Sequence, residues 1–190
     1  MRDEGFAVVA GMDEVGRGPL AGPMSVGVVI LPAGFAEPVV DSKLLSPQQR
    51  MEKAIAIRAG ALSFAVAHVE PEYIDTHGVT ASLREAGRRA LAQLKLSPDI
   101  ILLDGRHNFL AADTPVRTLI KGDQISASIA AASILAKVER DDLMREYAHM
   151  YPEYGFETHV GYGTPRHIAA LKKYGATPIH RQSFLTKIVA

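Results

Sequence analysis

The sequence contains no cysteine, which excludes a disulfide framework and any thiolate metal site. It also lacks a long apolar run. The longest wholly apolar stretches, such as Val28 to Leu31 and Ile129 to Ala132, fall far below the ~20 residues that a membrane-spanning helix needs. After Met1-Arg2-Asp3-Glu4 comes a strand-like segment, not the apolar middle and small-residue cleavage site of a secretory signal. A soluble, cytoplasmic protein with no membrane partner is the expectation. Net charge is missing too, since 21 Lys and Arg balance 21 Asp and Glu. Acidic residues, however, are absent from Thr158 to Ala190, where Arg166, Lys172, Lys173, Arg181 and Lys187 stand with His159, His167 and His180. A basic surface for a polyanion would account for that asymmetry, and so would a solvated helix face with a basic tail. Repeats, low-complexity tracts and both the P-loop and dinucleotide-binding glycine patterns are absent.

What is present, in 190 residues with 47% hydrophobic side chains, suffices for one substantial core. Phe6 to Met12 and Met24 to Leu31 read as β-branched, apolar strands on either side of a Gly- and Pro-rich segment, and predict a hairpin. Ser46-Pro47 is a helix start, with the helix running to about Gly60. Leu62 to Val69 reads as a third strand. Thr80 to Leu94 carries Leu83, Ala86, Ala90, Leu91 and Leu94 at helical spacing. Ile100 to Leu103 and Val116 to Ile120 complete five strands. Gly122-Asp123 opens an Ala- and Ser-rich helix reaching about His149, whose small residues allow close approach to a sheet, and Thr164-Pro165 starts a last helix ending at Gly175. This order predicts an α/β layered domain with a mixed sheet.

The acids fall at informative places. Asp13-Glu14 ends the first strand, Asp104 the fourth, and Asp123 opens the long helix, so all four gather at one sheet edge. Carboxylates brought together repel unless cations neutralise them, and oxygen ligands without Cys suit Mg²⁺ or Mn²⁺ better than zinc. Two such ions support phosphoryl-transfer chemistry. Each acid also has an ordinary explanation: Asp123 as a helix N-cap, Asp104-Gly105 as a turn, Asp13 and Glu14 as strand-end charges. Neighbouring strand side chains point to opposite faces, so Asp13 and Glu14 cannot both reach one ion from a regular strand. Gly16-Arg17-Gly18 follows at once, and its glycines let backbone amides approach a ligand while Arg pairs with phosphate.

The run Asp13-Glu14-Val15-Gly16-Arg17-Gly18-Pro19-Leu20-Ala21-Gly22-Pro23 resembles the signature of type 2 ribonucleases H. The similarity continues through Asp41-Ser42-Lys43, Leu103-Asp104-Gly105, Lys121-Gly122-Asp123, Ser128 to Val138 with Arg140-Asp141, Tyr151-Pro152, Tyr154-Gly155-Phe156, Gly161-Tyr162-Gly163-Thr164 and His180-Arg181 with Ser183-Phe184. This ordered set is similar to bacterial ribonuclease HII over nearly the whole chain. The resemblance implies a ribonuclease H-like fold, a five-stranded mixed sheet flanked by helices. Residues 1–150 would form the catalytic domain and 151–190 a helical segment packed on it that contributes to substrate binding. It implies a four-carboxylate site of Asp13, Glu14, Asp104 and Asp123 holding two divalent ions, Mg²⁺ or Mn²⁺. The reaction implied is hydrolysis 5′ of ribonucleotides in RNA/DNA hybrids and of single ribonucleotides in duplex DNA, leaving 3′-hydroxyl and 5′-phosphate ends. Gly16, Arg17, Gly18 and Tyr162 would read the 2′-hydroxyl, while Ser42, Lys43 and Arg181 would contact phosphates. Val160 departs from a common lysine and Ala176-Thr177 from a common Gly-Pro. Phe184-Leu185 is too weak a signal for a clamp-binding peptide, and a monomer is expected. A broader nuclease or phosphatase, and a non-catalytic nucleic-acid-binding module, are the rival readings.

Overall fold

The computed structural model describes residues 4–35, 45–186 and 188. Five strands, β1 (Val9–Val15), β2 (Met24–Ile30), β3 (Ser63–Val69), β4 (Ile100–Asp104) and β5 (Val116–Leu119), form one sheet in the order β3-β2-β1-β4-β5. β1 pairs antiparallel with β2 and parallel with β4, β2 pairs antiparallel with β3, and β4 pairs parallel with β5. The mixed sheet expected from the sequence is thus present, with β1 at its centre. β1 begins later than the sequence suggested and continues through Glu14, because Asp13 and Glu14 stay in register opposite Gly27 and Val26.

Helix α1 (Pro47–Gly60) starts where Ser46-Pro47 predicts, with a full capping box: Ser46 Oγ accepts from the Gln49 amide and Gln49 Oε1 accepts from the Ser46 amide. Such a cap is worth about 1 kcal/mol. α2 (Pro71–Ala92) is longer than the apolar spacing indicated and is broken by Gly78 at φ 77°, so its first two turns were hidden behind a residue that reads as a stop. The single long helix expected from Gly122 is two elements. α3 (Gly122–Ile125) ends at extended Ser126, whose side chain then accepts from the Ile129 amide and caps α4 (Ala127–Met150). The N-cap of α3 is Lys121, in the left-handed region, so Asp123 stands inside the helix and is not its N-cap residue. α5 (Phe156–His159), α6 (Pro165–Tyr174, capped by Thr164 as expected) and α7 (Gln182–Leu185) complete the chain.

Strand alternation sorts the core into two layers. Ala10 and Met12 of β1 join Val26 and Val28 under Leu83, Ala86 and Ala90 of α2. On the other face Val29 meets Ile57 of α1 and Ala131, Ala132 and Leu135 of α4. α4 comes very close to the sheet. A Cβ on Gly11 would lie 2.1 Å from the Ser128 carbonyl carbon, and one on Gly27 would lie 2.4 Å from the Ala132 oxygen. A further apolar cluster joins α6 to the loop between β1 and β2, with Leu20 and Ala21 buried among Met144, Tyr154, Phe156 and Leu171.

Candidate active site

The parallel pairing of β1 with β4 aligns Met12 with Leu103, so the acids that follow each of them lie abreast. Asp13 faces α4 and is buried. Its Oδ1 accepts from the Glu14 amide at 2.8 Å. Burial, countered by a hydrogen bond from Ser133 and reinforced by the negative charges of Glu14 and Asp104, raises its pKa to about 7. Glu14 turns to the α2 face. Its pKa is also raised by burial, with Arg17, 3.6 Å away, pulling the other way and Asp104 pushing it up. Asp104 is half-buried at the end of β4, and its Oδ1 accepts from the Gly122 amide at 2.6 Å. Asp123 is buried on α3, one residue beyond that amide.

The strands and α3 bring the four acids to one edge, as the sequence predicts. Yet among the described residues no group of three or more Asp, Glu or His is gathered tightly enough to grip an ion. Opposite-facing side chains on a regular β1 explain part of this, as anticipated for Asp13 and Glu14. The donor set nevertheless fits a hard divalent cation: all the candidate donor atoms are carboxylate oxygens, and a carboxylate whose pKa is raised by burial and by acidic neighbours is one that a cation would stabilise in ionised form.

Beyond Glu14 the chain turns through Gly16 at φ 85°, a conformation suited to glycine. Arg17 and Gly18 are exposed. The ring of Tyr162, 43% exposed, lies on this loop: a Cβ on Gly18 would be 3.9 Å from Tyr162 Cε1. A cleft of about 290 Å³ opens beside the acids, lined by Glu14, Arg17, Asp104, Arg106, His107 and Asn108. The last three were missed in the sequence, although their position directly after Asp104-Gly105 was the available signal. A larger cleft of about 590 Å³, lined by Val9, Leu31, Phe35, Ile125 and Ser128, contains none of the acids.

Ser42 and Lys43 lie outside the described residues. Arg181 is corrected by the structure: fully buried, its guanidinium donates to backbone carbonyls of the Gly16–Gly22 loop and reaches no surface. Leu185 is buried in the α6 cluster, so Phe184-Leu185 serves packing, with the Phe184 ring 5.3 Å from the Arg181 guanidinium.

Three buried histidines support Tyr162 from behind. The Thr177 amide donates to His180 Nδ1 at 2.9 Å, so the proton of neutral His180 sits on Nε2 and is given to His167 Nε2 at 3.0 Å. His167 must then carry its own proton on Nδ1, which donates to the Tyr162 carbonyl at 2.9 Å. Burial and the adjacent His167 hold His180 down at about 4. A depressed histidine contributes stability above its unfolded pKa, near 6.5, that is lost as pH falls toward the folded value. Asp13, raised to about 7, contributes with the opposite sign over nearly the same window, so a single melting curve is uninformative. The Tm advantage of the parent over His180→Gln should instead shrink by roughly 5 °C or more as pH drops from about 6.5 to about 4. A gap constant across that range would contradict a neutral His180.

Comparison with known proteins settles the family. The model of the Ribonuclease HII family matches residues 10–187. The chain belongs to the ribonuclease HII family. It is 48% identical over 189 residues to the ribonuclease HII of Ruminiclostridium cellulolyticum, covering 98% of this chain and 73% of that one. Among solved structures it is similar to ribonuclease H2 from Pyrococcus horikoshii, with TM-score 0.80, 30% identity, and coverage of 96% and 97% of the two chains. It is also similar to a chain of the PCNA–ribonuclease HII complex from Archaeoglobus fulgidus, with TM-score 0.77, 27% identity, and coverage of 92% and 94%. As a ribonuclease HII it is a metal-dependent type 2 ribonuclease H, an endonuclease acting on RNA/DNA substrates. Among the described residues no helix is long and apolar enough to cross a membrane.

Proposed function

We propose that Asp13, Glu14, Asp104 and Asp123 hold two divalent ions, Mg²⁺ or Mn²⁺, and that the protein cuts 5′ of ribonucleotides in RNA/DNA hybrids and at single ribonucleotides in duplex DNA. It acts as a cytoplasmic monomer, with residues 1–150 as the catalytic unit and 151–190 adding substrate contacts. The carrying observation is that β1 runs from Asp13-Glu14 straight into the exposed Arg17-Gly18 turn on which Tyr162 lies, which supports ribose recognition beside the acids. When bound, the ions neutralise the carboxylates and provide Lewis acidity for phosphodiester hydrolysis. The protein's own groups orient the substrate. The Gly122 amide fixes Asp104 by one oxygen and leaves the other for a ligand, Arg17 and the 16–18 backbone face the ribose, and the Tyr162 ring offers a stacking surface. Lys43 and Ser42 would add phosphate contacts.

The test is cleavage of an end-labelled DNA duplex containing one ribonucleotide, with Mg²⁺ or Mn²⁺, beside all-DNA and chelator controls. Metal-dependent cutting only 5′ of the ribonucleotide is expected, with 3′-hydroxyl and 5′-phosphate ends. Tyr162→Ala should reduce kcat/KM on this substrate about tenfold to a hundredfold, the value of one lost aromatic stack. Cutting of the all-DNA duplex would favour a broader nuclease, and metal-independent binding without turnover would favour a binding module.

A further inference from the structure

Two arginines lie wholly buried behind the 16–23 loop, and among the described residues neither forms a salt bridge with a carboxylate. Arg140 donates through Nε to the Pro23 carbonyl (2.9 Å), through Nη2 to Ala21 (3.2 Å) and through Nη1 to Val160 (3.0 Å). Arg181 donates through Nε and Nη2 to Gly22 (3.0 and 2.9 Å), through Nη1 to Arg17 (3.1 Å) and through Nη2 to Gly16 (2.6 Å). Five carbonyls of one loop are thereby turned inward. No peptide bond among the described residues is cis, and in a planar trans unit the carbonyl and the following N–H point in opposite directions. Drawing in the carbonyls of Gly16 and Arg17 therefore turns out the amides of Arg17 and Gly18, both on exposed residues. Arg140 also ties the loop to Val160, which occupies φ 42°, a conformation rare for a β-branched residue, two positions before Tyr162.

We propose that Arg140 and Arg181 are positioning residues for ribose recognition: without touching substrate, they aim the Arg17 and Gly18 amides at the ribonucleotide and hold that loop in register with Tyr162. This rests on the ribonucleotide-cutting function proposed above. Arginine suits the task because its planar fork reads several carbonyls at once, whereas lysine offers a point charge. Burying two like charges together is costly; burial, and after it the neighbouring Arg140, bring Arg181 down to about 9, so it remains charged at neutral pH. A polyanion seated outside the loop offsets that cost.

The test is steady-state cleavage of the single-ribonucleotide duplex by the parent and Arg181→Lys, with unlabelled all-DNA duplex as competitor. Arg181→Lys should raise KM about tenfold or more while the inhibition constant of the all-DNA duplex changes less than twofold. A merely structural role would lower kcat through a reduced active fraction and leave KM unchanged, which would overturn the proposal. Should Arg181→Lys fail to fold, ¹⁵N amide spectra of the parent in chelator decide. The Arg17 and Gly18 signals should shift with the ribonucleotide duplex and not with all-DNA duplex, and equal shifts would overturn the inference. Failure of the parent to cut the ribonucleotide duplex would instead overturn the underlying function.

Discussion

Asp104→Asn should keep the fold and abolish cleavage, by about a thousandfold or more if loss of a metal-ligating charge removes several kcal/mol of transition-state stabilisation. The fold survives because the contact that positions residue 104 needs only an acceptor: the Gly122 amide donates to Oδ1 at 2.6 Å, and asparagine can present its carbonyl oxygen there. Asp104 also raises the pKa of both Asp13 and Glu14, so its neutralisation relieves repulsion in metal-free protein. Thermal unfolding in chelator should therefore match or slightly exceed the parent, while stabilisation of the parent by Mn²⁺ should be largely lost. A variant that melts like the parent and still cuts at the parent rate would remove Asp104 from the site.

Gly11→Ala should be among the most damaging single-methyl changes in the molecule. Its Cβ would lie 2.1 Å from the Ser128 carbonyl carbon and 2.2 Å from the Ile129 nitrogen. These are backbone atoms in the first turn of α4 and cannot swing aside as a side chain could. Relief requires α4 to lift from the sheet, at about 3 kcal/mol or more, which for a chain of this size lowers Tm by roughly 10 °C. Gly18→Ala provides the contrast: its Cβ meets only Tyr162 Cε1 at 3.9 Å, ordinary contact, and its melting temperature should equal the parent's. Calorimetry of both variants checks the pair, and equal melting temperatures would mean that α4 is not held against β1 as described.

Much of this architecture was legible in the sequence because local signals and tertiary demands coincide. Ser46-Pro47 and Thr164-Pro165 both cap helices, and the apolar runs of β2 and β4 are buried on both faces. Legibility failed where one local signal has two outcomes. Gly122-Asp123 reads as the start of a long helix, but Ser126 is a better N-cap four residues on, and the chain uses both. The helical spacing was read only from Thr80, whereas α2 begins at Pro71 and is kinked at Gly78. The four acids could be singled out from their places at strand ends and a helix start, whereas Tyr162 was named only through the family resemblance. Arg181 could be noticed but not assigned, since an arginine in a basic segment looks like a phosphate ligand. Only partners 159 to 165 positions away in sequence reveal that it holds a loop. The histidine series depended in the same way on contacts that no spacing encodes.

Those distant partners bear on the order in which the protein acquires its abilities during synthesis. The strands that carry Asp13, Glu14 and Asp104 leave the ribosome well before residue 181, but a domain folds as a unit, so their surroundings wait for the C-terminal residues. The loop beside them is bridged at Ala21 to His180 and drawn into shape by Arg181, so it is among the last parts to settle. A nascent chain thus holds all four candidate carboxylates before it holds the residue that shapes the loop beside them, and α6 and α7, which close the same cluster, are made equally late.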